Sequence, residues 1–215
     1  MSEQTDNSKR SVLAVGAHPD DIELGCGGTI YKHLQQKDDI YCLIMTHGEQ
    51  GGHHTEQREC LASLTFLGVP RDHIFFGNCL DGYLPHNQKT TSEIEEYIKR
   101  FKVDTVYGHS RNDRHQDHYN LSRATSAAAR HVPNILLYEG PSKEPTFEPH
   151  YFEVLNENQI KMKLDALKCY DTQIKKGIVN LKTLEAQAVM WGGAIKKPFA
   201  EAFEVNHIVR DSKGV

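Results

Sequence analysis

Read by the spacing of apolar and polar positions, the chain divides into short β-branched runs alternating with longer segments of helical period. Val12–Val15 is apolar and runs into Gly16-Ala17-His18-Pro19-Asp20-Asp21, the pattern of a buried strand breaking into a loop. Beyond Gly25, Gly27 and Gly28, a helix is expected over Thr29–Gln36. Ile40–Thr46 reads as a second buried strand, ending in the polar loop His47–His54. Glu56–Leu67 has helical period, with Leu61, Leu64 and Leu67 on one side and Gly68 as its stop. Asp72–Phe76 is a short third strand, followed by a turn-rich loop through Asp81-Gly82. Thr91–Arg100 is helical with Ser92 as its expected cap, and Val103–Tyr107 is the next strand. After the loop Gly108–His118 come a helix over Tyr119–His131, a strand over Asn134–Tyr138 and an exposed loop over Pro141–Pro149. Two further helices are expected over Glu157–Thr172 and Ile174–Leu184, and Gly192-Gly193 punctuates the end.

Strands alternating with helices predict an α/β fold: three α/β/α layers around a mostly parallel sheet, with C-terminal helices and loops added. The 215 residues suit one such domain, over 11–215, with the polar segment MSEQTDNSKR as a disordered lead-in. That segment has no apolar centre of a signal peptide, and no apolar run reaches the roughly 18 residues of a membrane span. A soluble, cytoplasmic protein is expected. Charged residues make up 25% and the net charge is −4, which gives no reason to expect a nucleic-acid partner. The 5 cysteines are scattered with no C-x-x-C pair, so neither a disulfide framework nor a thiolate zinc cluster is indicated. Histidine is the outlier, at 13 residues.

The loops rich in chemistry all follow strands, which places them on the rim where open α/β sheets bind ligands. The first carries His18, Asp20 and Asp21; the second carries His115-Gln116-Asp117-His118. Each has a plainer reading by itself. Asp20 or Asp21 fits a helix cap after Pro19, His18 fits a packed core position, and Asp117 fits a cap for the helix that follows. A dinucleotide loop is excluded, because the strand is followed by Gly16-Ala17-His18 instead of G-x-G-x-x-G and the paired carboxylates would repel a pyrophosphate. On one rim, His18, Asp21 and a histidine of the second loop make two imidazoles and one carboxylate. Three such ligands leave a fourth position for water, as in catalytic zinc sites. The same donors admit iron(II) or another divalent ion.

Ala17-His18-Pro19-Asp20-Asp21 with Glu23 and Gly25-x-Gly27-Gly28-Thr29, taken with His115-x-Asp117-His118, resembles the LmbE-like (PIG-L-like) zinc-dependent N-acetylglucosaminyl deacetylases. The likeness continues through Thr46-x-Gly48-Glu49, Glu59, Leu67-Gly68 and Asp81-Gly82, and returns in Lys163-x-x-Ala166-Leu167, Gln173 and Ala200-Glu201-Ala202-Phe203. It implies a Rossmann-like fold and removal of acetyl groups from amino sugars or their conjugates. It implies His18, Asp21 and His118 as metal ligands and Asp20 as general base. His115 then stabilises the oxyanion or protonates the leaving amine, with Asp117 as its orienting partner. The chemistry agrees with that division: a zinc-bound water has a pKa near about 7, and a carboxylate off the metal is free to take its proton.

Glu49, Arg58, Asp81 and Asn112 are candidate substrate contacts because their loops share the rim. The family often has an arginine three residues before the helix glutamate; that position here is Glu56, with Arg58 beside Glu59, so a solvated helix face competes for Arg58. Tyr138, Trp191 and Phe203 fit either the pocket wall or the core, and His109 reads as one of several loop histidines. The rival functions are an amidase for another acylated amine, such as a thiol–sugar or an antibiotic intermediate, and a metal- or sugar-binding relative without activity. The Pro141–Pro149 loop and the C-terminal helices are candidate contacts for a homo-oligomer or a lid.

Overall fold

The computed structural model describes residues 9–50 and 54–209. Most of the expected lead-in, up to residue 8, and residues 51–53 of the His47–His54 loop lie outside the described residues. One sheet is built from β1 (Ser11–Gly16), β2 (Asp39–Ile44), β3 (Ile74–Phe76), β4 (Thr105–His109), β5 (Asn134–Tyr138), β6 (Tyr151–Leu155) and β7 (Phe199–Ile208), in the order β3-β2-β1-β4-β5-β7-β6. The first five strands are mutually parallel; β7 runs antiparallel to β5, and β6 antiparallel to β7. The helices are α1 (Asp21–Gln35), α2 (His54–Leu67), α3 (Gln88–Arg100), α4 (Gln116–Ala128), α5 (Glu157–Leu167), α6 (Asp171–Lys175) and α7 (Leu181–Ala194).

From Val12 to Val15 β1 is apolar at every position because it is covered on both faces. Val12 and Ala14 enter a core with Ile22 and Ile30 of α1, Leu64 of α2 and Leu167 of α5. Leu13 and Val15 point the other way, into a core with Ile94 of α3 and Leu121 and Ala124 of α4. From β1 the chain moves outward through β2 to β3, then returns to place β4 on the opposite side of β1 and continues to β5. The order therefore reverses between β1 and β4. In open α/β sheets the crevice beyond the strand ends at such a reversal is where ligands bind.

Several expected boundaries move, each for a local reason. α1 begins at Asp21, not near Thr29, and runs through the glycines with a break at Cys26 (φ −144°, ψ 23°). Those glycines serve close approach: a Cβ on Gly25 would lie 2.1 Å from Cδ2 of Tyr138. The Tyr138 ring is fully buried and tethered by its hydroxyl, which donates to the Val15 carbonyl at 2.7 Å. α3 is capped by Asn87, which accepts from the Thr90 amide at 3.0 Å, and not by Ser92. α4 starts at Gln116, so Asp117 and His118 sit on its first turn. The expected helix over Glu157–Thr172 ends at Leu167, and the one over Ile174–Leu184 is displaced to Leu181–Ala194. The C-terminal additions also include two strands, β6 and β7, that the apolar pattern did not suggest.

In a solvated helix, replacing glycine by alanine gains about 1 kcal/mol. At position 25 the added methyl meets a tethered ring, and such overpacking costs about 1–3 kcal/mol. Gly25→Ala should therefore lower the unfolding free energy by up to about 2 kcal/mol in urea denaturation, the cost of overpacking less the helical gain. A variant at least as stable as the parent would refute the contact.

Candidate metal centre and active-site cleft

The ends of β1 and β4 bring the two motifs together at the reversal point. After β1, the His18 amide donates to Asp21 Oδ2 at 2.7 Å, closing a tight turn. Asp20, between them, adopts a left-handed backbone (φ 101°) and makes no side-chain cap bond to α1. Its carboxylate is thus not spent on capping. A non-glycine residue in that region costs on the order of 1–3 kcal/mol and is characteristic of functional sites.

Three donors converge above this turn. His18 Nδ1 lies 3.2 Å from His118 Nε2 and 3.4 Å from Asp21 Oδ2, and His118 Nε2 lies 3.3 Å from Asp21 Oδ1. The remaining nitrogen of each ring is committed elsewhere. His18 Nε2 is 3.1 Å from both Asp117 Oδ2 and Asp81 Oδ1, and His118 Nδ1 is 3.0 Å from Asp113 Oδ2. Those contacts place the ring protons on the outward nitrogens and leave lone pairs facing one another. Carboxylates behind ligating histidines fix them in this way. Donors at about 2.0–2.1 Å from a tetrahedral zinc are separated by about 3.3 Å; the facing nitrogens of His18 and His118 have that spacing, and Asp21 reaches the first through Oδ2 and the second through Oδ1. The donors that could hold a metal group as His18, His115 and His118 and as Asp21, His109 and His118, so the two sets meet at His118.

The charge balance tells the same story. Burial opposes a charged ring at His18, yet the carboxylates of Asp117, Asp21 and Asp81 push it up to about 12. Burial is likewise overridden at His118 by Asp21 and Asp113, which raise it to about 9. Asp21, although buried, is held well below the usual carboxylate range by His118 and His109. The cluster demands a cation, and a proton answers that demand when a metal does not. Asp20 goes the opposite way: burial, then the charges of Asp21 and Glu23, raise it well above an ordinary carboxylate.

His115 and Asp117 are related differently from the expectation. The Asp117 carboxylate does not touch the His115 ring; Oδ2 faces His18 and accepts from the Gly82 amide at 2.7 Å, while Oδ1 accepts from the Leu84 amide at 3.1 Å. Only the Asp117 amide reaches His115, donating to Nδ1 at 3.2 Å as His115 caps α4. An accepting Nδ1 carries no proton, so the ring is neutral and holds its proton on Nε2. Burial and the neighbouring charges of His118 and His18 lower its pKa accordingly.

Two residues of the site were not singled out by sequence reasoning. His109 is fully buried at the end of β4, with Nε2 3.1 Å from Asp21 Oδ2 and its ring stacked on His118 at 4.1 Å. Burial and the His118 charge lower it to about 4. Asp113 orients His118, accepts from the His115 amide at 2.9 Å and from the Ser142 hydroxyl, and pairs by its backbone with Lys143. The i, i+5 spacing of Asp113 and His118 was the available signal for the latter.

A cleft of about 1160 Å³ opens over the centre. His18, Asp20, Asp21, Asp81, His115 and His118 line its floor. Glu139 to Lys143 form one wall, so the start of the Pro141–Pro149 loop faces the site. The other wall comes from Glu56, Gln173, Lys176 and the face of α7 that includes Thr183, Leu184 and Gln187. Of the candidate substrate contacts, Asp81 belongs to this cleft and the other three do not line it. Arg58 is exposed on the outside of α2, two residues from the inward Glu56. Glu49 turns away, with Oε2 buried and no partner among the described residues. Asn112 braces its loop by donating to Glu204 Oε1 at 2.8 Å. Tyr138 and Phe203 are core residues, and Trp191 packs on Phe147 and Phe152.

The fold and this centre define an α/β protein with a His/Asp cluster at the sheet's reversal point that could hold a metal. The chain belongs to the GlcNAc-PI de-N-acetylase (PIG-L) family, whose sequence profile matches residues 13–129. Among its relatives is the uncharacterized deacetylase YaiS of Escherichia coli (strain K12), 36% identical, with the alignment covering 75% of this chain and 91% of that protein. The diacetylchitobiose deacetylase of Thermococcus kodakarensis is 26% identical, over 81% of this chain and 74% of the relative. The fold is also that of the conserved protein TT1542 from Thermus thermophilus, with a TM-score of 0.80 at 24% identity, covering 95% of this chain and 98% of that one. Among the described residues, no helix is long and apolar enough to cross a membrane.

Removing a carboxylate behind a ligating imidazole weakens metal binding by about 10–100-fold. Asp113→Ala should do so here, read by competition with a chromophoric chelator, while Arg58→Ala leaves the affinity at the parent value. Equal affinities in the two variants would show that Asp113 does not support the centre.

Proposed function

We propose that the protein is a metal-dependent deacetylase that removes the acetyl group from an N-acetylglucosamine-type sugar or its conjugate. The observation that carries this reading is the convergence of His18 Nδ1, His118 Nε2 and the Asp21 carboxylate within 3.2–3.4 Å beside a spare buried carboxylate, Asp20. Membership in a deacetylase family and the diacetylchitobiose deacetylase among its relatives support it.

His18, Asp21 and His118 would hold a divalent ion, zinc or iron(II). Such an ion, when bound, acidifies a water ligand to about 7 and polarises the amide carbonyl. Asp20 is the general base: its carboxylate makes no cap bond and lies in the cleft floor beside His18 and Asp21, where it can take a proton from the attacking water. The same carboxyl group then returns that proton to the nitrogen as the C–N bond breaks, giving the free amine and acetate. His115, neutral and protonated on Nε2, donates a hydrogen bond to the developing oxyanion. A neutral imidazole is a poor acid, which leaves protonation of the amine to Asp20 and not to His115. Asp117 steadies His18.

The cleft also bears on the substrate. Its two lysines are already engaged, Lys176 with Glu56 at 3.1 Å and Lys143 with Glu139. Asp20, Asp21 and Asp81 add further acid to the lining. With each lysine facing a carboxylate, a phosphate or carboxylate on the substrate meets more like charge than opposite charge. The amides and hydroxyls of Gln50, Thr183 and Gln187 suit sugar hydroxyls instead. A neutral acetylated saccharide is therefore the preferred class.

Asp20→Asn should abolish acetate release from N-acetylglucosamine conjugates while metal content stays near one equivalent by elemental analysis. Full activity in that variant would remove Asp20 from its role. Stripping the metal with a chelator should stop turnover, and adding zinc or iron(II) should restore it. Across a panel sharing one acetylated sugar, kcat/KM should be higher for neutral aglycones than for phosphorylated or carboxylated ones; the reverse order would overturn the substrate assignment.

A further inference from the structure

The break in α1 has a built repair whose side chains, Lys163 and Glu201, neither line the cleft nor touch the metal donors. Interrupting a helix frees carbonyls before the break and amides after it. Here the Leu24 carbonyl accepts from Lys163 Nζ at 2.8 Å. On the far side, Glu201 accepts from the Gly28 amide at 3.0 Å, the Thr29 amide at 2.7 Å and the Thr29 hydroxyl at 2.6 Å. Lys163 and Glu201 join each other at 2.6 Å, and both are almost fully buried, at 5% and 4% exposure. Lys163 comes from α5 and Glu201 from β7, so two elements outside the parallel part of the sheet meet across this one gap. The glycines make room: a Cβ on Gly27 would press on Lys163 Cγ at 3.3 Å, and one on Gly28 would meet Leu155 Cδ1 at 2.5 Å and Glu201 Oε1 at 3.3 Å.

We infer that Lys163 and Glu201 are positioning residues for the metal centre: a buried ion pair that splints the broken helix and so fixes the turn presenting Asp20 and Asp21. The link is short. Leu24, whose carbonyl takes the lysine, donates its own amide to the Asp20 carbonyl at 2.9 Å. Asp20 is the residue in the left-handed conformation, without a side-chain cap bond. A strained residue of this kind persists only where its surroundings over-determine it, and the splint is part of those surroundings. An unbroken α1 would have no freed carbonyl and amides to grip and could not be anchored from both sides at this point.

The inference rests on the metal-holding reading of His18, Asp21 and His118, and its test is chosen to fail separately from that reading. Cobalt(II) is the probe, since its visible bands report coordination geometry and need no substrate. In the double variant Lys163→Met/Glu201→Leu no buried charge is left unpaired, which favours folding. It should unfold cooperatively, bind cobalt about 100-fold more weakly and show displaced visible bands, as expected when support behind ligands is lost. Glu201→Gln keeps an accepting oxygen and should weaken cobalt binding by about tenfold. A folded double variant with parental affinity and spectrum overturns the inference. Should the double variant not fold, parental affinity in Glu201→Gln overturns it equally. Parent protein that binds no cobalt would instead defeat the metal reading itself.

Discussion

Electron-pair donors held 3.2–3.4 Å apart repel unless a cation lies among them, and the rim of the sheet is organised to keep those of His18, His118 and Asp21 there. The imidazoles cannot turn away, because carboxylates hold their other nitrogens. Those carboxylates are fixed in turn by backbone amides: Asp117 by Gly82 and Leu84, Asp81 by Gln50, Asp113 by His115. The amides belong to loops following β2, β3 and β4, so loops from several strand ends steady side chains that come from two. A parallel sheet supplies this economically, since all of those ends lie on the same edge.

Chemistry and selectivity occupy different parts of the chain. The floor of the cleft comes from the parallel strands and is dense in carboxylate and imidazole. One wall comes from the loop after β5, and much of the other from α6 and α7 with the segment between them, where amides, hydroxyls and aliphatic groups prevail. Such a division lets walls change without disturbing the reacting groups, and it fits a fold whose sites differ chiefly in their loops.

Much of the parallel half was legible in the sequence because strands buried on both faces are apolar without interruption, as in Val12–Val15. His18, Asp21 and His118 were legible as a donor set for the same reason: they follow strands, and their residue types converge. His109 was not, since it ends a strand and a lone histidine there has no distinguishing neighbour. Asp117 was assigned the wrong imidazole, because sequence proximity favours His115 whereas a side chain on the first turn of α4 reaches across to His18. Glu56 and Arg58 show the helical counterpart of this problem: two residues apart on a helix, they point to different sides. β7 was missed because its middle, Ala200 to Phe203, is buried on both faces and so includes a buried Glu201 that reads as solvent-facing. α1 was placed late because glycines normally end helices, and these ones admit Tyr138, Leu155 and the Lys163 stem instead.

The wall after β5 and His118 lean on the same carboxylate. Ser142 donates to Asp113, Lys143 pairs with it through the backbone, and a Cβ on Gly140 would lie 2.6 Å from Asp113 Oδ2 and 3.4 Å from His118 Nδ1. There is no slack between the surface a sugar would press against and the imidazole beneath it. If His118 holds an ion as proposed, a molecule that shifts this wall would shift that grip, and thermodynamic linkage would make the influence mutual: occupancy of either site would change affinity at the other by the same factor.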